Sequence, residues 1–202
     1  MSYLYSFLVG YGLGCISPSY MVSFFKKKDL RQENTGNLGA TNTMLTFGWG
    51  WGIFVMLFDI LKAMAAVWIC AFAFPNTPYA RLLGGIACAL GHIFPFYLKF
   101  KGGKGLATFG GLVLAYSPLT FLILFLIGAL LIFITNYSVA LPFSASLLFP
   151  IAVAFIERTF PPVLMALLFG FVIVLKHWPN LKRLRAGEED KARTFIKKHV
   201  IK

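Results

Sequence analysis

The sequence predicts an all-α fold, a polytopic bundle of membrane-spanning helices, and three observations carry that prediction. Of its 202 residues, 58% are hydrophobic and only 13% are charged, about half the charge of an ordinary soluble domain. Apolar runs, some broken by a single charge, follow one another from the first residues to about Leu175. The 19 Lys and Arg residues are not spread evenly, for 16 of them fall in residues 26–31, 99–104 and 176–202. This composition excludes a soluble globular enzyme, a disordered chain and a disulfide scaffold.

A crossing needs about 20 apolar residues to traverse roughly 30 Å of hydrocarbon. The first such run is 4–25. It has no positive charge ahead of it and no small-residue cleavage pattern after it, so it reads as a retained span and not a signal peptide. A polar stretch, 26–43, follows. The second span is 49–74 and the third 82–98, with a short basic glycine loop at 99–105. Residues 106–175 are apolar, with breaks at Ser117-Pro118, Asn136-Tyr137-Ser138 and 157–162. The even spacing of these breaks predicts four short spans, hence seven crossings, with five as the alternative.

Cytoplasmic loops collect Lys and Arg. The first loop, the glycine loop and the tail are therefore all expected on the cytoplasmic face, which requires an odd number of crossings and an external N-terminus. The net charge of +12 follows from this rule and from anionic headgroups, so no nucleic-acid partner is expected. A single domain, 1–202, is predicted, with 176–202 a basic interfacial tail. There Glu188, Glu189 and Asp190 precede Lys197, Lys198 and His199, an order that suits the dipole of a short helix. Cys15, Cys70 and Cys88 sit inside apolar runs without paired spacing and read as buried thiols. Three scattered histidines without spaced acids predict no metal, and no cofactor is expected.

Chemistry is concentrated in the polar segments. Gly36-Asn37-Leu38-Gly39-Ala40-Thr41-Asn42 combines small residues, which let backbone approach a ligand, with amides and a hydroxyl. Its bland alternative is a turn before the second span. Phe100-Lys101-Gly102-Gly103-Lys104-Gly105-Leu106-Ala107-Thr108 sets glycines, a lysine and a hydroxyl at the start of an apolar helix, an arrangement that suits phosphate. It lacks the P-loop spacing, and a positive anchor with flexible glycines is the alternative. His92, in Gly91-His92 before Phe94-Pro95-Phe96, is by itself more typical of a satisfied core residue. His177 and Asn180, three apart, can share one helical face if Pro179 permits, and Lys182, Arg183 and Arg185 suit headgroups. Asp59 and Lys62, three apart within the second span, are expected to pair or to line a wet cavity. No nucleophile framework, such as G-x-S-x-G, is present, and no histidine begins an H-x-x-x-x-D.

Taken with Phe58-Asp59-Ile60-Leu61-Lys62, Tyr137-Ser138 and the series His177, Asn180, Arg183, Leu184, Gly187, these motifs identify the chain as resembling the bacterial acyl-phosphate:glycerol-3-phosphate acyltransferase family, usually called PlsY. The likeness covers nearly the whole chain, and GNLGATN together with FKGGKGLAT is highly specific. Departures occur at Thr35, where the family usually has Ser, at Thr43-Met44-Leu45, where an Arg is usual nearby, at Trp178, where Arg is common, and at Asn136, where Arg or a small residue is frequent.

The resemblance implies transfer of a fatty acyl group from acyl phosphate to the sn-1 hydroxyl of glycerol 3-phosphate, giving lysophosphatidic acid and phosphate, in a bacterial inner membrane. It implies Thr41, Lys104, His177 and Asn180 as catalytic residues. Thr35, Gly36, Asn37, Gly39, Ala40, Asn42, His92, Gly102, Gly103, Gly105, Thr108, Ser138 and Arg183 would bind substrate. An acyl phosphate is already a mixed anhydride, so positioning and charge stabilisation suffice and no covalent enzyme intermediate is needed. The competing readings are a transporter for phosphorylated solutes, for which no inverted repeat is visible, and a lipid-binding scaffold, which leaves the paired glycine motifs unexplained.

Overall fold

The computed structural model describes residues 1–199, leaving aside the side chains of residues 196, 198 and 199. The regular secondary structure of the described residues is all helical, with no strand among them. By backbone contacts they form two compact units, residues 1–118 and 119 onward.

The first unit contains α1 (Ser2–Cys15), α2 (Pro18–Phe25), α3 (Ala40–Phe47), α4 (Trp49–Ala73), α5 (Ala80–Ile93) and α6 (Leu106–Tyr116). The predicted first span is not one continuous helix. It breaks at Ile16-Ser17, because Pro18 at the first turn of α2 disfavours helical backbone in the residue before it. Ser17 then caps α2, accepting from the Tyr20 amide. The α1–α5 seam is built from small residues. A methyl group added at Gly10 would strike the Gly84 carbonyl, one at Gly14 the Cys88 carbonyl, and one at Gly91 the Tyr11 carbonyl. Backbone-to-backbone approach of this kind holds helices together where lipid provides no hydrophobic drive between them. On α6, Gly111 lies in the same way against Ile60 of α4. Cys15, Cys70 and Cys88 are all buried and free, as expected.

The second unit contains α7 (from Pro118 to Thr135), α8 (Ala140–Glu157), α9 (Phe160–Arg185) and α10 (Ala192–His199). The three sequence breaks after residue 105 coincide with the ends of these helices. Gly128 on α7 packs on Leu141, and Gly170 on α9 packs on the Ser146 carbonyl of α8. Helix α9 runs ten residues past Leu175, straight through Pro179, so the first part of the predicted tail is the end of a long helix. The tail helix is α10. The side chains of Lys198 and His199, expected to close it with positive charge, lie outside the described residues, as do residues 200–202.

Among the described residues, six helical stretches are long and apolar enough to cross a membrane: Ser2–Phe25, Trp49–Ala73, Ala80–Leu98, Pro118–Thr135, Ala140–Glu157 and Phe160–Arg185. Helix α6 is apolar but has only 11 residues, about 16 Å of helix. Most of the large apolar side chains on these stretches that face outward, such as Leu57, Leu61, Phe125 and Phe155, are exposed, as lipid contact requires.

Candidate functional site

The glycine loop is built by the end of α5. After Ile93 the chain passes through a short 3₁₀ turn, Phe96–Leu98, and then takes two consecutive left-handed residues, Lys99 (φ 53°) and Phe100 (φ 60°). This doubles it back under α5. The amide of Gly102 donates to the Ile93 carbonyl and that of Gly103 to the His92 carbonyl, both at 3.1 Å. Two of the orphan carbonyls at the helix end are thereby satisfied. Glycine is required at both positions, since a β-carbon at Gly102 would meet the His92 carbonyl and one at Gly103 the His92 imidazole.

This changes the expected part of the loop. The Gly102 and Gly103 amides close α5, and the backbone that faces onward is the first turn of α6. Gly105, at φ 84°, starts that helix without a capping side chain, and Thr108 turns its hydroxyl inward to the Gly105 carbonyl at 2.9 Å. Lys104 stands half-buried at this helix start.

The first motif is organised in the same way. Leu38 is buried with Leu30 and Leu98, and Gly39 opens α3, again with no capping side chain. Asn42 is almost fully buried. Its Nδ2 donates to the Leu30 carbonyl at 2.7 Å while its Oδ1 accepts from the Thr35 amide at 3.3 Å. Asn42 thus shapes the loop. Thr35, Gly36 and Thr41 are exposed and Asn37 and Ala40 half-buried, with Gly36 in the left-handed region at φ 65°. The two motifs touch: a β-carbon at Gly103 would lie 2.6 Å from the Leu38 carbonyl oxygen. Two glycine-started helices therefore begin from loops in direct contact, each presenting a positive dipole end of the kind that binds anions.

Beneath the glycine loop lies an ionic cluster. Lys62 Nζ is 2.7 Å from Asp59 Oδ1, and His92 Nδ1 is 3.2 Å from both the Asp59 oxygen and the lysine nitrogen. Lys62 also donates to the carbonyls of Ile16 at 2.6 Å and Gly14 at 3.2 Å. Those are carbonyls released where α1 breaks, so the ammonium acts as their cap. Tyr97 donates to the neighbouring Cys15 carbonyl at 2.8 Å. The pairing of Asp59 with Lys62 was legible in their spacing. The entry of His92 was not, because it comes from a different helix.

In the second unit His177, Asn180 and Arg183 lie along α9, and Pro179 does not interrupt the helix. His177 is buried, with Nδ1 2.9 Å from the Ile173 carbonyl. A carbonyl only accepts, so Nδ1 carries the hydrogen and Nε2 is the basic nitrogen of the ring. Helix α9 ends in a left-handed glycine, Gly187 at φ 74°. Its amide bonds to Leu184, and that of Glu188 bonds to Arg183 at 2.8 Å, a Schellman-type close. This turn brings Glu189 back along the helix, where its two oxygens accept from Asn180 Nδ2 at 2.7 Å and Arg183 Nε at 2.8 Å. Glu189 thus joins the candidate residues Asn180 and Arg183; sequence reasoning missed it, though an acid two residues after a helix-ending glycine was its visible signal. Ser138 is exposed on the α7–α8 turn. Next to it, left-handed Asn136 starts α10, accepting from the Ala192 amide through its carbonyl at 2.7 Å and from the Arg193 amide through Oδ1 at 2.9 Å. Among the described residues no group of three His, Cys, Asp or Glu side chains could hold a metal ion.

Comparison with known proteins gives one consistent answer. The family described as glycerol-3-phosphate acyltransferase matches residues 4–187. A glycerol-3-phosphate acyltransferase of Thermoanaerobacter pseudethanolicus is 35% identical over 91% of this chain and 92% of its own length. One from Coxiella burnetii is 35% identical over 96% of this chain and 100% of its own. The crystal structure of PlsY, an integral membrane glycerol 3-phosphate acyltransferase, in its glycerol 3-phosphate form is similar with a TM-score of 0.84 at 31% identity. It covers 95% of this chain and 96% of that one. The lysophosphatidic acid form gives a TM-score of 0.82 at 30% identity, covering 95% of each chain.

Proposed function

The chain belongs to the glycerol-3-phosphate acyltransferase family of integral membrane enzymes, and from that premise we propose that it transfers a fatty acyl group from acyl phosphate to the sn-1 hydroxyl of glycerol 3-phosphate. The products are lysophosphatidic acid and inorganic phosphate. The observation that carries this reading is the contact of Gly103 with Leu38. It joins two loops that each open a helix N-terminus, and the two substrates each bring a phosphate.

The chemistry asks for little beyond placement. The glycerol oxygen attacks the acyl carbonyl carbon, the bond from that carbon to the phosphate oxygen breaks, and the hydroxyl proton leaves with the departing phosphate. The first-turn amides of α3, with Asn37 and Thr41, are assigned to the acyl phosphate or to the oxyanion formed on its carbonyl. Lys104 and the first turn of α6, helped by Ser138, are assigned to the phosphate of glycerol 3-phosphate. His177 and Asn180 orient the glycerol hydroxyls, the second held by Glu189. With its proton on Nδ1, His177 could accept the hydroxyl proton at Nε2. No Asp or Glu occurs in residues 158–187 around His177 in the sequence, and the departing phosphate is itself a base, so a substrate-assisted transfer to the phosphate is favoured.

The three basic segments share a face only if α6, despite its length, completes a crossing. With six crossings the nine Lys and Arg of 176–202 would lie on the opposite side from the glycine loop, against the charge rule. Seven crossings with the N-terminus outside, and chemistry at the cytoplasmic face of the inner membrane, follow from that argument. Incubating purified protein with acyl phosphate and glycerol 3-phosphate tests the function. Lysophosphatidic acid should form without coenzyme A or acyl carrier protein; folded protein that makes none refutes it.

A further inference from the structure

We propose that Asp59 and Lys62 are positioning residues for the glycine loop, acting through the His92 side chain. Three observations converge on this, all within the first unit. The Asp59, Lys62 and His92 side chains are buried, so the two formal charges have been taken out of lipid and water together, an arrangement that costs free energy unless every partner is placed. The imidazole meets this pair with Nδ1, at 3.2 Å from each, and its far edge, Nε2, lies where a β-carbon of Gly103 would be. The main chain of the same histidine accepts from the Gly103 amide. The loop therefore rests on both the ring and the carbonyl of one residue, and that ring is held at its other end by the ion pair. Lys62 at the same time fixes the broken end of α1 through Gly14 and Ile16. The charges reach no substrate themselves. Their output is the placement of Gly103, and with it of Lys104 and the start of α6.

The assignment to a phosphate-holding loop rests on the functional reading above, so the experiment has two arms. The neutral double variant Asp59→Asn/Lys62→Met avoids leaving one buried charge unpaired. His92→Asn keeps a group at the Nδ1 position and loses the reach to Gly103, whereas His92→Gln keeps the reach. In the first arm, amide hydrogen exchange of the full-length chain in detergent should quicken about tenfold or more at Gly102 and Gly103 in the double variant and in His92→Asn, with α4 and the body of α5 unchanged. His92→Gln should recover part of the protection. Unchanged exchange at these glycines overturns the proposal, and so does equal quickening throughout α4 and α5, the mark of a merely structural role. In the second arm, KM for glycerol 3-phosphate should rise about tenfold while KM for acyl phosphate stays within about twofold. Equal rises in both overturn the proposal. If the wild-type chain transfers no acyl group, the functional reading fails and the exchange arm still decides the positioning.

Discussion

Glu189 Oε1 accepts from Asn180 Nδ2 at 2.7 Å, so the amide of a residue assigned to substrate is held by a carboxylate nine positions later. The other oxygen holds Arg183, and the carboxylate is largely shielded from solvent. Removing it leaves two donors without this acceptor, at a cost of about 1–3 kcal/mol for a buried group. Glu189→Ala should lower kcat/KM by about tenfold or more. Glu189→Gln, which keeps one acceptor for Asn180, should lose less. Steady-state assays of the pair check this, and equal activity of Glu189→Ala and the wild type would show that the clamp does not orient Asn180.

At Gly103 the prediction is steric. A single added methyl meets the His92 ring and the Leu38 carbonyl at once, and neither is the end of a flexible side chain. Overpacking of this kind costs about 1–3 kcal/mol, and the loop is the part free to move. Gly103→Ala should remain folded in detergent yet lose about 100-fold in kcat/KM, the scale expected when reacting groups are misplaced by about 1 Å. A variant with near wild-type kinetics would mean that the contact between the loops does not set substrate geometry.

Those two residues also mark what a single sequence reveals. The helices after residue 105 were legible because polar and proline breaks are local. The two glycine motifs were legible as candidate sites because glycine beside an amide or lysine is local as well. What Gly102 and Gly103 do was not, since their demand for glycine comes from His92, ten and eleven residues away, and from Leu38 in another loop. The break in the first span was written in Pro18, but its consequence, carbonyls capped by Lys62, needed α4 beside α1. The glycines of the α1–α5 seam were visible too, as Gly10 and Gly14 four apart, yet only packing tells such a pair from flexible punctuation.

Topology is open to direct labelling. Cys15, Cys70 and Cys88 are buried, so a cysteine introduced at an exposed turn gives a distinguishable signal in the native chain. If α6 completes a crossing, Ser117→Cys should react with a membrane-impermeant maleimide added outside intact cells. Ser138→Cys should react only after the inner face is exposed. Labelling of Ser117→Cys solely from the inner face would leave six crossings and put the basic tail outside.

The role of His177 is decided by how much activity survives without it. The Ile173 carbonyl fixes the hydrogen on Nδ1 and makes Nε2 an acceptor, suited either to take the glycerol proton or simply to hold the hydroxyl. An obligatory general base contributes about 10²- to 10⁴-fold, and its loss removes the pH dependence that its titration imposes. A residue that only orients the hydroxyl costs less when removed, because the phosphate of the donor can still carry the proton away. His177→Ala should therefore keep a measurable kcat, lowered by about 100-fold or less, with the shape of its pH–rate profile unchanged between pH 6 and 8. Complete loss of transfer with unaltered binding of glycerol 3-phosphate would instead make the imidazole the base.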